Sequence, residues 1–476
     1  MRLRSLPTCL ALSLVPVLTA QAPPPGFTYE TLVDGPLTGA TAMAFAPDGR
    51  LFLTERMTGQ IRVFENGALR ATPWATVPIH HGGSYAEQGL LGIAVDPGFL
   101  LNHYVYVYYT EAGGAENRIA RLEEVGSVGQ NLTVLSPNGA IDSRAYHNGG
   151  AMVFGMDGTL FVATGDYQDT TRPQNLTSWC GKILRFTVPN LGVPANNPMA
   201  GSPVYSYGHR NQFGLAIHPQ TGDLFQTENG GALMDEINRI VPGGNYGWPN
   251  VEGRELTPNP SYVDPLLWYQ PTTAPTGCGF YAGENYPAAW QNAWFFADWN
   301  MNRLRAVTLD TAGQTVLSQS IFDTQTGAGY GVTMGPDGNL WYLTNDTGGY
   351  GADEIGRYVH QNEPMPSAHL TAVSNRSVGG AVTLGIHAHN GDIALPWMSL
   401  VRWSAPVPTP VGNQWVPIDA VMPLLFVTGD DRAYQGVSVP NDQAFIGMAI
   451  YMQAIVLTPT TSQLTATNPS KHVLRG

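Results

Sequence analysis

One phrase recurs along this chain: an apolar strand, a turn built on glycine, and a second apolar strand. It is spelled "AMAFAPDGRLFLTE", "LGIAVDPGFLLNHYVYVYYT", "AMVFGMDGTLFVATGD", "LAIHPQTGDLFQTENG" and "VTMGPDGNLWYLTND". The turn glycines are Gly49, Gly98, Gly158, Gly222 and Gly338, which sets spacings of 49, 60, 64 and 116 residues. The last gap is twice the others, so a degenerate unit belongs inside it, and "GFYAGENYPAAWQNAWFFADW" sits there. Hairpins repeating about every 50 residues are the sequence mark of a β-propeller, whose blades are four-stranded sheets around a central channel. The turns favour Asp-Gly because those residues tolerate the positive φ of a tight hairpin. Six units fill residues 27–360, and the expectation is an all-β, six-bladed β-propeller.

After residue 360 the repeat stops. "HQNEPMPSA" is a polar link containing proline, and the rest of 361–476 holds shorter strands such as "AVTLGIHAH", "MPLLFVTGD" and "AFIGMAIYMQAIVLT". This segment reads as a linker and a small C-terminal β-sandwich-like domain. An attachment or structural role suits it better than carbohydrate binding, for which no motif speaks. At the other end, residues 1–22 carry two arginines, an apolar run and the small-residue close Ala20-Gln21-Ala22. That is the pattern of a secretory signal peptide, too short to be a membrane span, and it predicts a secreted or periplasmic protein.

Removing that segment leaves 21 basic against 36 acidic residues, a net charge of −15. Such a surface repels nucleic acid and anionic lipid, and it suits a neutral or cationic ligand or a metal ion. Cys180 and Cys278 are the cysteines left after processing. Export permits a disulfide between them, and two free buried thiols are the plainer alternative.

Propeller sites form where loops converge at one mouth of the channel, so loop residues unusual for turns carry the weight. "AEQGLLGIAV" offers Gln88, "AYHNGG" offers His147, "YSYGHRNQFGLAI" offers Arg210 and Asn211, and "TENGGALMDEINRIVPGGNYGWP" is an acidic, glycine-rich loop. Each alone has an ordinary structural reading: a packed histidine, a surface ion pair, or, for Asp235-Glu236, a solvated turn. All four clusters, however, border the inner hairpins of consecutive units. Equivalent blade positions face the same mouth, so residues far apart in sequence can meet there.

Several stretches make the pattern specific: "LFLTERMTGQIRVFENG", "EQGLLGIAVDPGF", "HNGGAMVFGMDGTLFVATGD", "CGKILRF", "GHRNQFGLAI", "DEINRIVPGGNYGWPNVEG" and "PTTAPTG". In that order they resemble the soluble quinoprotein glucose and aldose-sugar (glucose/sorbosone) dehydrogenases, six-bladed propellers that use pyrroloquinoline quinone (PQQ) and calcium. The resemblance covers the whole propeller and excludes the tail. It implies an oxidoreductase that takes hydride from a sugar hemiacetal to the quinone and passes electrons to an acceptor the sequence does not identify. By the same match His147 is the general base, and Arg210 and Asn211 bind the quinone oxygen where charge develops. Gln88 matches a sugar- and cofactor-contacting residue, and Thr272 a cofactor contact. The carbonyls of Gly230 and Gly231 match ligands of a cofactor-side calcium, and Glu236 with the carbonyl of Tyr246 those of a structural one.

The chain also departs from that pattern. Gly231 stands where the glucose enzymes have proline, a change a carbonyl ligand survives, and Tyr146 replaces an acid before the histidine. Asn300 stands at the position of a lysine that holds a PQQ carboxylate, and Ala328 and Tyr330 at those of two arginines. Arg303 and Arg305 lie near the lost lysine, but their register points them elsewhere. These losses keep two other readings open: a non-catalytic calcium-binding propeller that recognises glycan or protein, and a calcium-dependent lactonase.

Overall fold

The computed structural model describes residues 22–360, apart from 36, 85, 255–258, 284, 325 and 346–350, and mainly the strands within 369–473. The expected signal peptide over 1–22, but for its last residue, and the link over 361–368 lie outside the described residues.

Six antiparallel sheets follow one another along the chain. After β1 (Phe27–Asp34), the first blade holds β2 (Ala40–Phe45), β3 (Leu51–Glu55) and β4 (Gln60–Glu65), with β5 (Ala68–Leu69) and β6 (Ala75–Thr76) both paired to β4. The second holds β7 (Leu90–Val95), β8 (Tyr104–Thr110), β9 (Asn117–Val125) and β10 (Val128–Val134). The third is β11 (Gly149–Phe154), β12 (Leu160–Thr164), β13 (Lys182–Phe186) and β14 (Val204–Tyr207). The fourth is β15 (Asn211–Ile217), β16 (Leu224–Asn229), β17 (Asp235–Ile240) and β18 (Leu267–Tyr269). The degenerate unit becomes the fifth blade, β19 (Pro275–Phe280), β20 (Trp294–Asp298), β21 (Arg303–Leu309) and β22 (Val316–Asp323). The sixth is β23 (Ala328–Met334), β24 (Leu340–Asn345) and β25 (Glu354–His360), and its outermost strand is β1, paired from Phe27↔His360 to Asp34↔Glu354. The N-terminal strand thus latches the ring shut.

The first strand of every blade touches the first strand of the next, and β23 returns to β2. Wedges of apolar side chains fill the space between blades: Phe52, Ile61 and Val63 against Leu90, Val105 and Val107, for example, or Phe225 and Ile237 against Phe280, Trp294 and Phe296. This packing also explains how deeply the second strands are buried. The second strands β3, β12 and β20 are buried at all five positions, because blades cover both of their faces.

Four turn glycines have the expected positive φ, Gly49 at 88°, Gly158 at 76°, Gly222 at 80° and Gly338 at 78°. Gly98 does not. At φ −92° it opens the one-turn helix α1 (Phe99–Asn102), and the left-handed residue there is His103. The cysteines are free and buried in different inter-blade cores, and burial pushes their thiols up to about 11 for Cys180 and about 12 for Cys278. In the C-terminal region, β26 (His369–Ala372), β27 (Ala381–His387) and β29 (Arg432–Ser438) form one sheet. A larger sheet is built around β28 (Ile393–Ser399) and β30 (Ala449–Thr458). Among the described residues no helix is long and apolar enough to cross a membrane.

Candidate active site

Loops that lead into the inner strands meet around a cavity of about 210 Å³, lined by Glu87, His147, Arg210, Asn211, Phe213, Asn229, Ala274, Thr276, Trp299, Asn300 and Tyr330. His147 immediately precedes the loop into β11. Its φ is +60°, a left-handed conformation that histidine adopts more readily than most side chains. The turn is tight. A Cβ on Gly165 would lie 1.9 Å from the His147 carbonyl oxygen, so the close approach of the two backbones requires glycine at 165.

The His147 ring is held by a buried acid. Its Nδ1 lies 2.8 Å from Oδ1 of Asp166, a residue almost without exposure, while the imidazole itself is 15 % exposed. Asp166 Oδ1 also accepts the Gln168 amide, and its Oδ2 accepts the Trp248 indole N–H at 2.8 Å. With every nearby group donating to this carboxylate, the imidazole pairs with it as an Nδ1–H donor, which leaves the Nε2 lone pair as the basic atom.

Arg210 lies beside this pair. Its guanidinium covers the Trp248 ring at 5.4 Å and donates to the Asn229 carbonyl at 3.1 Å. Among the described residues it enters no ion pair, so its charge is available to a ligand. Asn211 is fixed at both ends: Nδ2 donates to Glu87 and Oδ1 accepts the Gly149 amide.

Two expected contacts take other places. Gln88 turns away from the cavity and donates to the Gly114 carbonyl and to Ser143 Oγ, and its neighbour Glu87 lines the cavity instead. Both residues lie in the loop before β7, and their side chains leave it in different directions. Thr272 lies beside the cavity, where its carbonyl accepts the Asn300 amide, and Ala274 and Thr276 are the lining residues of that loop. Asn300 and Tyr330 do line the wall, uncharged, and Trp299 donates to the Tyr330 hydroxyl. Arg305 cannot replace the lost cations, because both its Nε and Nη2 are engaged by the buried Asp298. Asp166, Glu87 and Trp248 were missed from sequence. Asp166 closes the "LFVATGD" phrase, and an acid ending a buried strand is a signal that could have been read.

The acidic loop folds beside the cavity. Asp235 accepts the amides of Gly230, Thr273 and Ala274, so it braces the loop from within. Glu236 is buried, accepting from Gly253 and from Asn238. Burial, with Glu228 and Glu252 nearby, pushes it up to about 8. Gly230 and Gly231 form a close-walled cradle: a Cβ on the first would meet the Met234 carbonyl at 1.8 Å, and on the second the Glu252 carboxylate at 2.8 Å. Among the described residues no three His, Cys, Asp or Glu side chains form a metal cluster. A cation here would therefore draw mainly on carbonyls, as Gly230, Gly231 and Tyr246 were expected to supply. Glu236, a buried carboxylate that enters no ion pair among the described residues, follows the loop of Gly230 and Gly231, and carboxylate with backbone carbonyls is the oxygen set a hard divalent ion takes. The main cavity likewise fits an aromatic, oxygen-rich group, with ring faces from Trp299, Phe213 and Tyr330 and donors from Arg210, Asn211 and Asn300.

Comparison with known proteins bears on the family and the fold. Residues 37–352 match the Glucose / Sorbosone dehydrogenase family model. An aldose sugar dehydrogenase of Escherichia coli is 28% identical over 351 residues, which are 69% of this chain and 92% of that protein. Quinoprotein glucose dehydrogenase B of Acinetobacter calcoaceticus is 31% identical over 272 residues, 50% of this chain and 56% of its own. The solved PQQ-bound aldose sugar dehydrogenase of Streptomyces coelicolor superposes with a TM-score of 0.59 at 32% identity, covering 71% of this chain and 99% of that one.

Proposed function

The chain belongs to the glucose/sorbosone dehydrogenase family, and on that premise we propose that it is an exported, PQQ- and calcium-dependent enzyme that oxidises an aldose hemiacetal to a lactone. The observation that carries this reading is the His147–Asp166 pair at 2.8 Å, with His147 lining one cavity together with Arg210 and Asn211. Asp166 holds the ring in the tautomer whose Nε2 can take the proton of the sugar's C1 hydroxyl. Asp166 also stabilises the imidazolium that results. Loss of that proton makes the C1 hydride easier to release. When bound, the quinone supplies the electrophile that receives the hydride, so proton and electron pair leave the sugar together and a lactone remains. Arg210 and Asn211 would hold the quinone oxygen and stabilise negative charge developing there. Aromatic walls exclude water from the reacting carbon. The Gly230 and Gly231 carbonyls would hold a calcium on the cofactor side, and Glu236 with the Tyr246 carbonyl a structural one.

The test is reconstitution. Apo-protein given calcium and PQQ should reduce a dye in the presence of an aldose, and His147→Ala should not. The uncharged Asn300 and Tyr330 walls favour a second reading, a propeller that binds a sugar without oxidising it. Sugar binding with no dye reduction under any loading would decide for that one.

A further inference from the structure

Glu87 has no part in the scheme above, yet it is the carboxylate that lines the cavity beside the histidine. Its Oε2 accepts the His147 main-chain N–H at 2.6 Å and the Asn211 side-chain amide at 3.1 Å. The Asn148 amide faces the same carboxylate. Asn211 then accepts the Gly149 amide, which closes a ring of hydrogen bonds around residues 147–149. The ring crosses three blades: Glu87 precedes β7, His147 precedes β11, and Asn211 begins β15.

The carboxylate is itself rigidly mounted. Glu87 donates its own amide to the Ala145 carbonyl at 2.7 Å, so the two loops are stitched by main chain as well. The buried guanidinium of Arg56 donates to the carbonyls on either side, Ala86 and Gln88, and also to Ser84. The left-handed backbone of His147 is thus pinned from three directions: its N–H by Glu87, its carbonyl by the Tyr167 amide, and its ring by Asp166.

We propose that Glu87 is a positioning residue for the proposed reaction, one carboxylate oxygen setting both the base His147 and the amide Asn211 through hydrogen bonds across three blades. The proposal rests on the reading of His147 as the base. A side chain anchored by backbone at an unfavourable φ needs that anchor to stay within the narrow geometry proton transfer requires, and a displacement near 1 Å costs about 10²-fold in rate. Because Oε2 takes both donors, a glutamine carbonyl oxygen can do the same work.

The experiment compares Glu87→Ala, Glu87→Asp and Glu87→Gln with wild type in the calcium- and PQQ-loaded protein, and separately by nitrogen-edited NMR of the imidazole N–H in the protein without cofactor. The His147 Nδ1–H signal is identified by its loss in His147→Ala. Glu87→Ala should lower kcat about 10²-fold with KM changed less than about threefold, and should broaden or remove the Nδ1–H signal. Glu87→Asp, which keeps the charge but withdraws it from both donors, should behave like alanine and replaces it if the alanine variant does not fold. Glu87→Gln should restore kcat to within about tenfold of wild type and keep the signal. An unchanged Nδ1–H signal in the alanine and aspartate variants overturns the proposal, as does a glutamine variant that loses as much as alanine. A wild type with no dehydrogenase activity defeats the proposed function instead, and the NMR signal then still decides whether Glu87 holds His147.

Discussion

His147 carries a strained backbone, a buried acid partner and a tight glycine neighbour within one turn, and each can be altered separately. His147→Ala should cut turnover by about 10²–10⁴ while leaving the fold intact, because the ring is at the cavity surface and not in a core. Asp166→Asn keeps the shape but puts an NH2 group on a side chain whose two carboxylate oxygens together accept three donors. It should lower kcat at least tenfold in steady-state kinetics of the loaded protein. Gly165→Ala should be the most disruptive of the three, since its Cβ has no space beside the His147 carbonyl. Chemical denaturation should show a loss of about 1–3 kcal/mol, and a variant as stable as wild type would contradict the close approach. His147, Arg210 and Asn211 were legible in sequence because each is a polar residue bordering an inner strand, where turn chemistry alone gives no reason for it. Glu87 was not. The adjacent Gln88 satisfied the same description, and a one-residue difference in facing decides which side chain enters the cavity. Asp166 was visible as an acid closing a buried strand, but its partner was not, because the chemistry it supports lies in a loop earlier in the chain and only folding brings Nδ1 to it.

The acidic loop between β16 and β17 and the segment 246–253 form the element whose behaviour depends most on solution conditions. Glu236 is raised from an ordinary 4.5 to about 8 by burial and by Glu228. A raised folded-state value means the folded chain prefers the protonated form. That contribution is complete below about pH 4.5 and is lost as pH climbs through about 8. Metal-free protein should therefore melt at progressively lower temperature between those limits. Bound calcium would pair with the ionised carboxylate and cancel the trend, and binding only the folded state adds about 2.7 kcal/mol at a hundredfold excess over Kd. Melting curves across this pH range, with calcium and with chelator, check both parts. Identical curves would make the loop an ordinary buried polar turn. The loop was visible in sequence as acids among glycines, but its opposing carboxylates were not, since Glu228 and Glu252 come to Glu236 only through strand pairing and loop folding. The same limit applies to the second strands of the blades. Their apolar runs were evident, but burial on both faces follows from neighbouring blades, which no single hairpin reveals.

At the scale of the molecule, repeat spacing was enough to read the architecture, because a propeller is the same hairpin repeated, and five turn glycines with one double-length gap mark six units. The closure was less visible: β1 completes a blade whose other strands lie about 300 residues later. Phe27 of that strand packs edge-on against Tyr286 and Phe322, so Phe27→Ala should cost about 3–5 kcal/mol in urea unfolding and loosen the ring at its latch. The ring also determines what the cavity can hold. Its mouth is assembled from blades two to six, and among the described lining residues Arg210 is the cation, with Asn300 and Tyr330 neutral and Arg305 committed to Asp298. PQQ carries three carboxylates. Each charge-assisted hydrogen bond contributes about 1.5–3 kcal/mol, and each 1.4 kcal/mol is tenfold in affinity, so a wall without three cations should bind PQQ weaker by several powers of ten than one that has them. Calcium beside Gly230 and Gly231 is the remaining source of positive charge. Titration calorimetry of apo-protein with PQQ should therefore show binding that disappears in chelator and that Arg210→Ala weakens further. Tight binding in chelator would mean that the charge is supplied from outside this wall, and the electrostatic argument would fall with it.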